Sequence, residues 1–525
     1  MNGRDIWAKG ANWIPFDAMP GKLTEERYRY LLESMVSANM NMVRVWGGGQ
    51  YEKDIFYDLC DELGILVWQD MMFSCSMYPA NKEFLDDVRL EVADQVARLK
   101  DHPCLALWCG NNENVGALTW YPETRAFRDR YIIDYDRLNE GAVGSVIRAL
   151  DPDHAWWPSS PSAGPADYSD CWHSDNRGDM HYWSVWHEGK AFEAYYDVTP
   201  RFCSEFGYQS FPSSSGIDSY CPENERNLTS PTMEHHQKNP RGNSIIIENF
   251  SRYFRFPEGF DAMLYLSQVQ QALAIKTAVE YWRSRRPVCM GALYWQLDDC
   301  WPVASWSSIE YSGKWKLLHY AAARFFAPQA LIAFKKGDRA SIFLLNDELG
   351  ELAGSLSLRA LGFDGKEIWK KNIEARARGE AATEVWSASL EEMGFNPEKA
   401  FLVGEFTPNR AGKSQEGRNQ RGTEPFKTEL FLCEPKRCEL LAPELHFELG
   451  NDEQGLFVDV EATAPAFYVS LDAGDLPLRW EDNLITLLSN EKRRIRCIPD
   501  TGAKKLTAGS LKDALKVYTL RDSYK

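Results

Sequence analysis

The sequence is poor in the features that attach a protein to membranes or to nucleic acids. Its apolar runs stay shorter than the roughly 20 residues that span a bilayer, and residues 1–7 lack the apolar core of a signal peptide. Basic residues are outnumbered, with 59 Lys and Arg against 76 Asp and Glu and a net charge of −17. Since nucleic-acid affinity rests on many Lys and Arg contacts to phosphate, we expect neither a nucleic-acid partner nor a membrane partner.

Cysteine is too thinly spread to form a disulfide framework. The twelve cysteines have no dense or regular spacing, and several, such as Cys60, Cys104 and Cys289, lie within apolar runs. In so large a chain this pattern predicts reduced thiols in the core, which favours the cytoplasm as the compartment. The sequence also lacks a dinucleotide fingerprint, and no cluster of His, Cys and carboxylate residues lies near Glu113 or Glu205, the two candidate site residues. We therefore expect no cofactor and no metal.

With 525 residues the chain is too long for one core and should divide into two to four domains. From residue 7 to about 324, short apolar runs alternate with longer helical patterns, which is typical of β/α units around a parallel sheet. Eight runs are candidate strands and predict a closed (β/α)8 TIM barrel. They are Trp7 to Asn12, Met42 to Trp46, Leu66 to Gln69, Cys104 to Trp108, Ala155 to Ser159, Met180 to Trp183, Arg201 to Glu205 and Gly291 to Gln296.

Two of the intervening segments have the spacing of amphipathic helices. The first has Thr24 as its cap and Glu25 and Glu26 in its first turn. Its apolar positions are Tyr28, Leu31, Leu32, Met35 and Val36, and those of the second segment are Phe84, Leu85, Val88, Val92, Val96 and Leu99. A third stretch, from Pro212 to Pro257, is rich in Ser, Pro, Asn and Gly and predicts a long inserted loop or lid.

After about residue 328 the periodicity changes from helical to alternating. Ser341 to Leu344, Ser355 to Leu358 and Lys366 to Trp369 predict strands, with a hairpin turn at Asp364-Gly365. Further strands are predicted at Leu456 to Val460 and Phe467 to Leu471. We expect two β-sandwich domains of the immunoglobulin-like kind, so that the domains are 1–327, 328–437 and 438–525. The polar, basic run from Asn409 to Arg421 predicts a solvated loop.

Two glutamates stand at the ends of predicted strands. Glu113 follows the fourth strand in the segment Trp108-Cys109-Gly110-Asn111-Asn112-Glu113-Asn114, and Glu205 closes the seventh strand. A barrel of this type carries its chemistry on the loops that follow the strands. Splitting a glycosidic bond requires one carboxyl as proton donor and another as nucleophile or base. Such a pair, in a chain with 19 tryptophans, indicates sugar chemistry, whereas an isolated glutamate is more often an ion-pair or capping residue.

Six motifs, taken in order, carry a family resemblance. They are Gly10-Ala11-Asn12-Trp13-Ile14-Pro15, Arg44-Val45-Trp46-Gly47-Gly48-Gly49, Trp68-Gln69-Asp70, Gly110-Asn111-Asn112-Glu113, Ser204-Glu205-Phe206-Gly207 and Tyr294-Trp295-Gln296. Together they resemble the β-mannosidases of glycoside hydrolase family 2, in clan A, across most of residues 5–325. Each motif alone is weak, but six in the family's order are specific. The two trailing sandwiches are also similar to the family's tail.

The resemblance implies that Glu113 is the acid/base and Glu205 the nucleophile of a retaining exo-glycosidase acting on terminal β-D-mannose. Asn112 can donate its amide to the sugar hydroxyl beside the anomeric carbon, although turns also favour asparagine. Arg44 can orient Glu205 through a forked pair, or form a salt bridge elsewhere in the barrel mouth.

Four further residues are candidates for the sugar pocket. Trp46, Trp120 and Trp295 offer flat aromatic faces that stack on sugar C–H surfaces, although most tryptophans of the chain must be packing residues. His187 follows the sixth strand. It can hydrogen-bond the nucleophile or serve only as a structural residue.

The chain departs from the family at its start. Family 2 enzymes usually have two β-sandwich domains ahead of the barrel, whereas this sequence begins almost at the first barrel strand. We therefore expect that N-terminal domains are missing, or that a partner chain covers the barrel, in an otherwise monomeric or weakly oligomeric protein. Two alternatives stay open. One is another family 2 activity, namely β-galactosidase, β-glucuronidase or exo-β-glucosaminidase, and the other is a non-catalytic carbohydrate-binding remnant.

Overall fold

Eight parallel strands form the curled sheet at the centre of the first 327 residues. The computed structural model describes residues 3–409, 425–500 and 506–524. All eight predicted strands are confirmed, with ends that differ by one or two residues. They are β1 (Ala8–Trp13), β2 (Met42–Val45), β3 (Leu66–Asp70), β4 (Leu105–Cys109), β5 (Ala155–Trp157), β6 (Met180–His181), β7 (Cys203–Glu205) and β8 (Gly291–Tyr294).

Strand pairing runs in the order β5-β4-β3-β2-β1-β8-β7-β6, so β5 and β6 are the two ends of the sheet. The gap between them is bridged by Asp179, just before β6. Its N–H donates to the Ser162 carbonyl at 3.3 Å, and its carboxylate accepts from the Ser162 N–H and from the Trp157 indole, both at 2.9 Å. The predicted barrel is thus confirmed, and its last seam is closed largely by a side chain.

Thirteen α-helices accompany the barrel strands in the described part of the chain. They are α1 (Glu25–Ser37), α2 (Asp54–Leu63), α3 (Lys82–Leu99), α4 (Asn114–Trp120), α5 (Pro122–Ala126), α6 (Arg128–Leu138), α7 (Ser145–Leu150), α8 (Ser184–His187), α9 (Ser214–Asp218), α10 (Pro231–His235), α11 (Gly242–Tyr253), α12 (Phe260–Arg283) and α13 (Leu317–Phe325). Among the described residues, no helix has the length and apolar character needed to cross a membrane.

Helix α1 forms as its sequence predicts. The Thr24 hydroxyl accepts a hydrogen bond from the Arg27 N–H and so satisfies one of the free donors of the first turn. Leu31, Leu32 and Met35 are fully buried against the barrel. Val36 is 41% exposed instead, because eight residues after Tyr28 the helix has turned roughly 80° away from the buried stripe.

The prediction of a loop or lid at Pro212 to Pro257 is wrong. Helices α9, α10 and α11 occupy nearly half of this stretch, and Ile217, Met233 and Phe250 are buried within it. The serines that suggested a loop are instead helix caps, as at Ser213 and Ser230, whose side chains accept from backbone N–H groups. Apolar residues at helical spacing therefore outweigh the loop-like composition.

Two antiparallel β-sandwiches follow, as predicted. The sheets of the first are β13-β10-β9 and β12-β11-β14-β15, and those of the second are β16-β17-β21-β19 and β20-β18-β22. The first set comprises β9 (Gln329–Lys336), β10 (Arg339–Asn346), β11 (Leu352–Gly362), β12 (Glu367–Ala377), β13 (Ala381–Ser389), β14 (Ala400–Pro408) and β15 (Phe426–Phe431). The second comprises β16 (Leu445–Asp452), β17 (Gly455–Ala462), β18 (Ala466–Asp472), β19 (Leu478–Trp480), β20 (Ile485–Leu487), β21 (Lys492–Pro499) and β22 (Lys516–Tyr518).

The remaining sequence predictions for this region have mixed outcomes. The turn at Asp364-Gly365 is confirmed, with Gly365 at φ +82°, a conformation that glycine adopts without strain. Two short helices, α14 (Leu390–Met393) and α15 (Ala508–Ala514), complete the α-helices of the described residues. The polar run after Asn409 lies outside the described residues. The domain boundaries at 327/328 and 437/438 stay a prediction.

Cysteines throughout the described chain are free thiols, and most of them are buried, as predicted. The second sandwich shares one apolar core with the barrel, which includes Val458, Val460 and Val469. The first sandwich has a core of its own around Leu356 and Leu358, and it also contributes residues such as Phe334 and Phe401 to the shared core. The second sandwich therefore packs on the barrel through apolar contacts.

The first sandwich is joined to the barrel by a cluster of charges around Asp347. The Asp347 carboxylate accepts from Lys9 at 3.0 Å, Arg283 at 2.8 Å and Arg286 at 3.0 Å. Lys9 lies on β1 and Arg283 ends α12, and both residues are buried. One acid thus neutralises part of the charge of three bases at the junction.

We expect Asp347→Asn to destabilise the protein by about 3 kcal/mol, because it leaves two buried cations without their counter-charge. The midpoint of urea unfolding, followed by tryptophan fluorescence, measures the loss. Asp338→Asn, an exposed aspartate on the neighbouring hairpin, is the matched control and should shift the midpoint little. Equal midpoints for the two variants would show that the cluster does not hold the junction.

Candidate active site

Glu113 and Glu205 meet at the carboxyl ends of the barrel strands. Oxygens of the two carboxylates and a ring nitrogen of His181 all lie within 4.8 Å of one another. All three residues are buried, with Glu113 9% exposed and Glu205 4% exposed. The two sequence-predicted acids are therefore brought together, with His181 between them.

The backbone at Glu113 is strained. Its φ and ψ of 61° and 10° place it in the left-handed region, where a residue with a Cβ is disfavoured. The Glu113 N–H donates to the Ser160 carbonyl at 2.8 Å, which ties this turn to the end of β5. Strained residues of this kind persist where the surroundings hold them, and they cluster at functional sites.

Arg44 is the most highly connected side chain of the site. Its Nη1 donates to Glu205 Oε1 at 2.5 Å and to Asn12 Oδ1 at 2.8 Å. Its Nη2 and Nε form a fork on Asp70, at 2.7 and 3.3 Å. The prediction that Arg44 contacts Glu205 is confirmed, but the expected fork on Glu205 is wrong, because the fork closes on Asp70 and Arg44 gives Glu205 a single N–H.

Asn112 lies between Arg44 and the loop after β3. Its Oδ1 accepts from Arg44 Nη2 at 2.8 Å, which fixes the orientation of the amide. Its Nδ2 lies 3.1 Å from Ser74 Oγ and 3.4 Å from Cys75 Sγ. The amide nitrogen, with two N–H groups, therefore faces the same side of the pocket as Cys75, whose thiol is 3.4 Å from Glu113 Oε2.

His181, not His187, is the histidine of the site. His181 Nδ1 lies 2.7 Å from Glu113 Oε1 and 3.5 Å from Glu205 Oε2. The hydrogen bond predicted between His187 and the nucleophile is wrong, since His187 ends α8 as an exposed side chain whose ring packs on Trp183. The strand β6 ends at His181, two residues earlier than predicted, and so directs this side chain into the barrel mouth.

The predicted aromatic residues lie in two groups. Trp46, after β2, and Trp295, after β8, are half-buried and pack edge to face with ring centroids 5.0 Å apart. Trp120 is 37% exposed and packs on Trp172 at 5.5 Å. Trp172 in turn meets the His181 ring edge to face at 5.4 Å, which places this pair beside Glu113.

Gly47 is required by the close approach of three loops. A Cβ at this position would meet the backbone oxygens of Met71 and Phe73 at 2.7 and 2.8 Å. The Gly47 N–H also donates to Asp70 Oδ2 at 3.1 Å. The first glycine of the motif after β2 therefore lets this loop pack beside Asn112.

Burial and charge set the protonation of the site. Burial raises the pKa of Glu113 well above its ordinary value, and the negative charge of Glu205 adds to the effect. Burial also raises the pKa of Glu205, to about 7, against the opposing effect of Arg44. Burial and the nearby Arg44 charge hold the pKa of His181 well below its ordinary value, so the imidazole is neutral. Above about pH 7 the pair therefore carries one proton, and the Arg44 charge beside Glu205 favours its residence on Glu113.

The same three side chains have the spacing of a metal-ligand set, but their partners argue for a hydrogen-bonded pair. Arg44 places its guanidinium charge on Glu205 at 2.5 Å, and a cation at the centre of the group would be repelled by it. A second group, Asp61, His102 and Cys104, lies elsewhere on the barrel. There the Asp61 carboxylate already accepts from the Cys104 N–H and contacts His102, both at 2.7 Å.

Sequence reasoning missed several residues of the site. Asp70 and Asn12 were within the quoted motifs but were given no role, although each stands at a strand end, where a barrel carries its chemistry. His181 lay inside a predicted strand and could have been found by the same rule. Cys75 and Trp172 lie on loops, and no sequence pattern marks them.

Family comparisons agree with this architecture. Residues 338–426 match the model of a mannosidase Ig/CBM-like domain, and residues 440–523 match that of an Ig-fold domain of mannosidases. The β-mannosidase of Capra hircus is 35% identical over 554 residues, covering 100% of this chain and 61% of that protein. The β-mannosidase of Bos taurus is 42% identical over 65% of this chain and 41% of that protein.

Solved structures give the same result. The β-D-mannosidase of Dictyoglomus thermophilum superposes with a TM-score of 0.86 and 33% identity, over 99% of this chain and 60% of that one. The exo-chitosanase of Amycolatopsis orientalis, at 16% identity and a TM-score of 0.73, shares the fold. The chain spans about three-fifths of the length of the goat and Dictyoglomus proteins. In its sequence and in the order of its barrel and two sandwiches, the chain is similar to these β-mannosidases.

Proposed function

We propose that this chain carries the active site of a retaining exo-glycosidase that hydrolyses terminal, non-reducing β-D-mannose residues from β-mannosides. The main support is the separation of the two carboxylates, since one oxygen of Glu113 lies within 4.8 Å of one oxygen of Glu205. Retaining glycosidases hold their carboxyls about 5–5.5 Å apart, whereas inverting enzymes need about 6.5–9.5 Å to admit water. The choice of mannoside follows the names of the relatives and the motif after β2.

In the proposed reaction Glu205 attacks the anomeric carbon, and a covalent ester forms as the bond to the departing oxygen breaks. Glu113 gives its proton to that oxygen. Esterification removes the negative charge of Glu205, so the pKa of Glu113 falls and its carboxylate can take a proton from water. The water oxygen then attacks the anomeric carbon, which frees Glu205 and yields the sugar with its original configuration.

Other residues are proposed to prepare this reaction. Arg44 keeps the Glu205 carboxylate ionised and oriented, since one of its N–H groups donates to Oε1. The Asn112 amide nitrogen is proposed to donate to the hydroxyl beside the anomeric carbon, an interaction that strengthens as positive charge grows on the ring. Trp46, Trp295 and Trp120 are proposed as walls of the sugar pocket. The glycoside is the only partner we propose.

The first prediction concerns the substrate and the stereochemistry. Among 4-nitrophenyl β-D-glycosides, we expect the mannoside to be hydrolysed with the highest kcat/KM, ahead of the glucoside, galactoside, glucuronide and glucosaminide. Proton NMR during turnover should show β-mannose before it equilibrates with the α-anomer. Preference for another sugar would favour the alternative family 2 activities, and α-mannose as first product would exclude retention.

The activity lost on replacing each glutamate should depend differently on the leaving group of the substrate. We expect Glu205→Ala to abolish turnover of every substrate, because no covalent ester can form. Glu113→Ala should lower kcat/KM for the methylumbelliferyl mannoside by about 10²–10⁴-fold, the usual contribution of a general acid. With a dinitrophenyl leaving group, which needs no proton, the ester should still form and produce a burst of dinitrophenol.

Glu83→Ala, which changes an exposed glutamate on α3, is the control for these two variants and should keep the parental rates. If Glu113→Ala and Glu205→Ala lose activity equally on both substrates, their proposed roles are wrong. A parent that binds mannoside but never turns it over would support the non-catalytic alternative.

The pH dependence follows from the protonation of the pair. Glu205 attacks only as the carboxylate, so kcat/KM should fall as the pH drops below about 7, the value to which burial raises its pKa. Glu113 acts only while protonated, and burial raises its pKa well above the ordinary value, so the alkaline limb should lie well above the pH at which an ordinary glutamate ionises. Initial rates at substrate concentrations far below KM measure both limbs. Maximal activity near pH 4 would contradict this assignment.

A further inference from the structure

A buried chain of polar side chains leads from Glu113 to the seam of the barrel. His181 Nδ1 lies 2.7 Å from Glu113 Oε1, and His181 Nε2 lies 2.9 Å from Ser160 Oγ. The Ser160 hydroxyl lies 2.7 Å from Asp179 Oδ2. His181 and Ser160 are 0% exposed and Asp179 is 3% exposed, so water does not interrupt the chain.

Asp179 fixes the direction of these hydrogen bonds. Its Oδ1 accepts from the Trp157 indole and the Ser162 N–H, and its Oδ2 accepts from the hydroxyls of Ser160 and Ser204, the latter at 2.5 Å. Burial raises the pKa of Asp179, and the four donors oppose that rise. A carboxylate with four donors is fully satisfied in its ionised form.

The direction of the Ser160 hydrogen bond determines which ring nitrogen of His181 carries the proton. Ser160 has one proton, and its Oγ lies 2.7 Å from Asp179 Oδ2 and 3.2 Å from Ser204 Oγ. The shorter bond, to a charged acceptor, takes that proton, so the Ser160 oxygen must accept from His181 Nε2–H. A neutral imidazole with its proton on Nε2 has a lone pair on Nδ1. That lone pair faces Glu113 Oε1 at 2.7 Å, a contact that is attractive only if Glu113 carries the proton between them.

We propose that Asp179, acting through Ser160, fixes His181 in the Nε2–H tautomer, so that Nδ1 accepts a hydrogen bond from protonated Glu113. His181, Ser160 and Asp179 are then positioning residues for the acid. The assignment rests on the proposed function only where it concerns turnover, because the tautomer itself is a property of the resting protein.

Charged groups around the histidine agree with this tautomer. Glu113 faces His181 from the end of β4, Glu205 from β7 and Arg44 from β2, while Trp172 covers its edge. The Arg44 charge and burial both oppose a second proton on the ring. A further neighbour of Glu113 is the Cys75 thiol, whose own pKa burial raises to about 12, so it stays protonated.

The tautomer has a consequence for catalysis. When Glu113 gives its proton to the departing oxygen, its carboxylate is left facing the Nδ1 lone pair, which disfavours the ionised form. The carboxylate regains a proton from the attacking water, and the hydrogen bond to Nδ1 is restored. His181 in the Nε2–H tautomer thus favours the protonated form of Glu113 and extends activity to higher pH.

Nitrogen-15 NMR of the ¹⁵N-histidine-labelled protein tests the tautomer directly. We expect one ring, absent from the spectrum of His181→Gln, to show the Nε2–H shift pattern without titrating between pH 5 and 8. A Nδ1–H pattern or an imidazolium at this position would overturn the proposal. Because this measurement needs no turnover, it stands even if the parent hydrolyses no glycoside, which would refute the proposed function alone.

Asp179→Asn should reverse the donor and acceptor roles along the hydrogen bonds that join Asp179, Ser160, His181 and Glu113. Trp157 and Ser162 donate to Oδ1, so the asparagine oxygen must remain there, and its NH2 group would take the place of Oδ2 and donate to Ser160. Ser160 would then donate to Nε2, and Nδ1–H would donate to Glu113. We expect the Nδ1–H pattern in NMR and an alkaline limb of kcat/KM that moves to lower pH by about one unit, since that bond stabilises the Glu113 carboxylate.

Ser204→Ala is the matched control. It removes one donor from Asp179 Oδ2 but leaves the path through Ser160 intact, so both the tautomer and the alkaline limb should stay as in the parent. An unchanged tautomer in folded Asp179→Asn, or the same shift in both variants, would overturn the role of Asp179. If Asp179→Asn fails to fold, the parental spectrum still decides the tautomer.

Discussion

The site depends on one buried guanidinium. Arg44 is fully enclosed, and its charge is shared between Asp70, which holds it in a fork, and Glu205, which receives one donor. Burial lowers the pKa of Arg44, but the two acids outweigh it, and the net shift is upward. Arg44 with Asp70 and Glu205 has a net charge of one negative. Ionising Glu113 would add a second uncompensated negative charge to this buried group, which would be costly. Glu113 therefore keeps its proton.

The two carboxyls differ because the barrel gives them different neighbours. Glu205 ends β7 and meets the cation of β2 across the barrel mouth, whereas Glu113 turns out of β4 in a left-handed conformation and meets a neutral imidazole and a thiol. Identical side chains thus acquire opposite protonation from position alone. The closing seam contributes to this difference, since Asp179 both bridges β5 and β6 and sets the hydrogen bonding of the histidine beside Glu113.

The sequence was informative wherever periodicity and strand ends carry the signal. All eight barrel strands, helix α1 and both sandwiches were predictable, because apolar spacing reports burial directly. The meeting of Glu113 and Glu205 was predictable because the loops that follow the strands of a barrel lie together at one end of it. Pro212 to Pro257 misled because serine and asparagine serve equally in loops and in helix caps. The sequence pointed to His187 instead of His181 because the predicted end of β6 was two residues too late. His181 then lay inside the predicted strand, and His187 was the first histidine after it.

The sequence could not predict which acid receives the forked hydrogen bonds of Arg44. The fork of Arg44 closes on Asp70 rather than on Glu205 because β2 and β3 are adjacent, with Arg44 opposite Trp68, whereas Glu205 approaches from across the barrel. Which of two acids receives the fork is decided by distance and register, and both acids satisfy the same sequence rule. The outcome matters, because a single donor leaves the other Glu205 oxygen free of Arg44. That oxygen lies 3.5 Å from His181, the residue that also contacts Glu113.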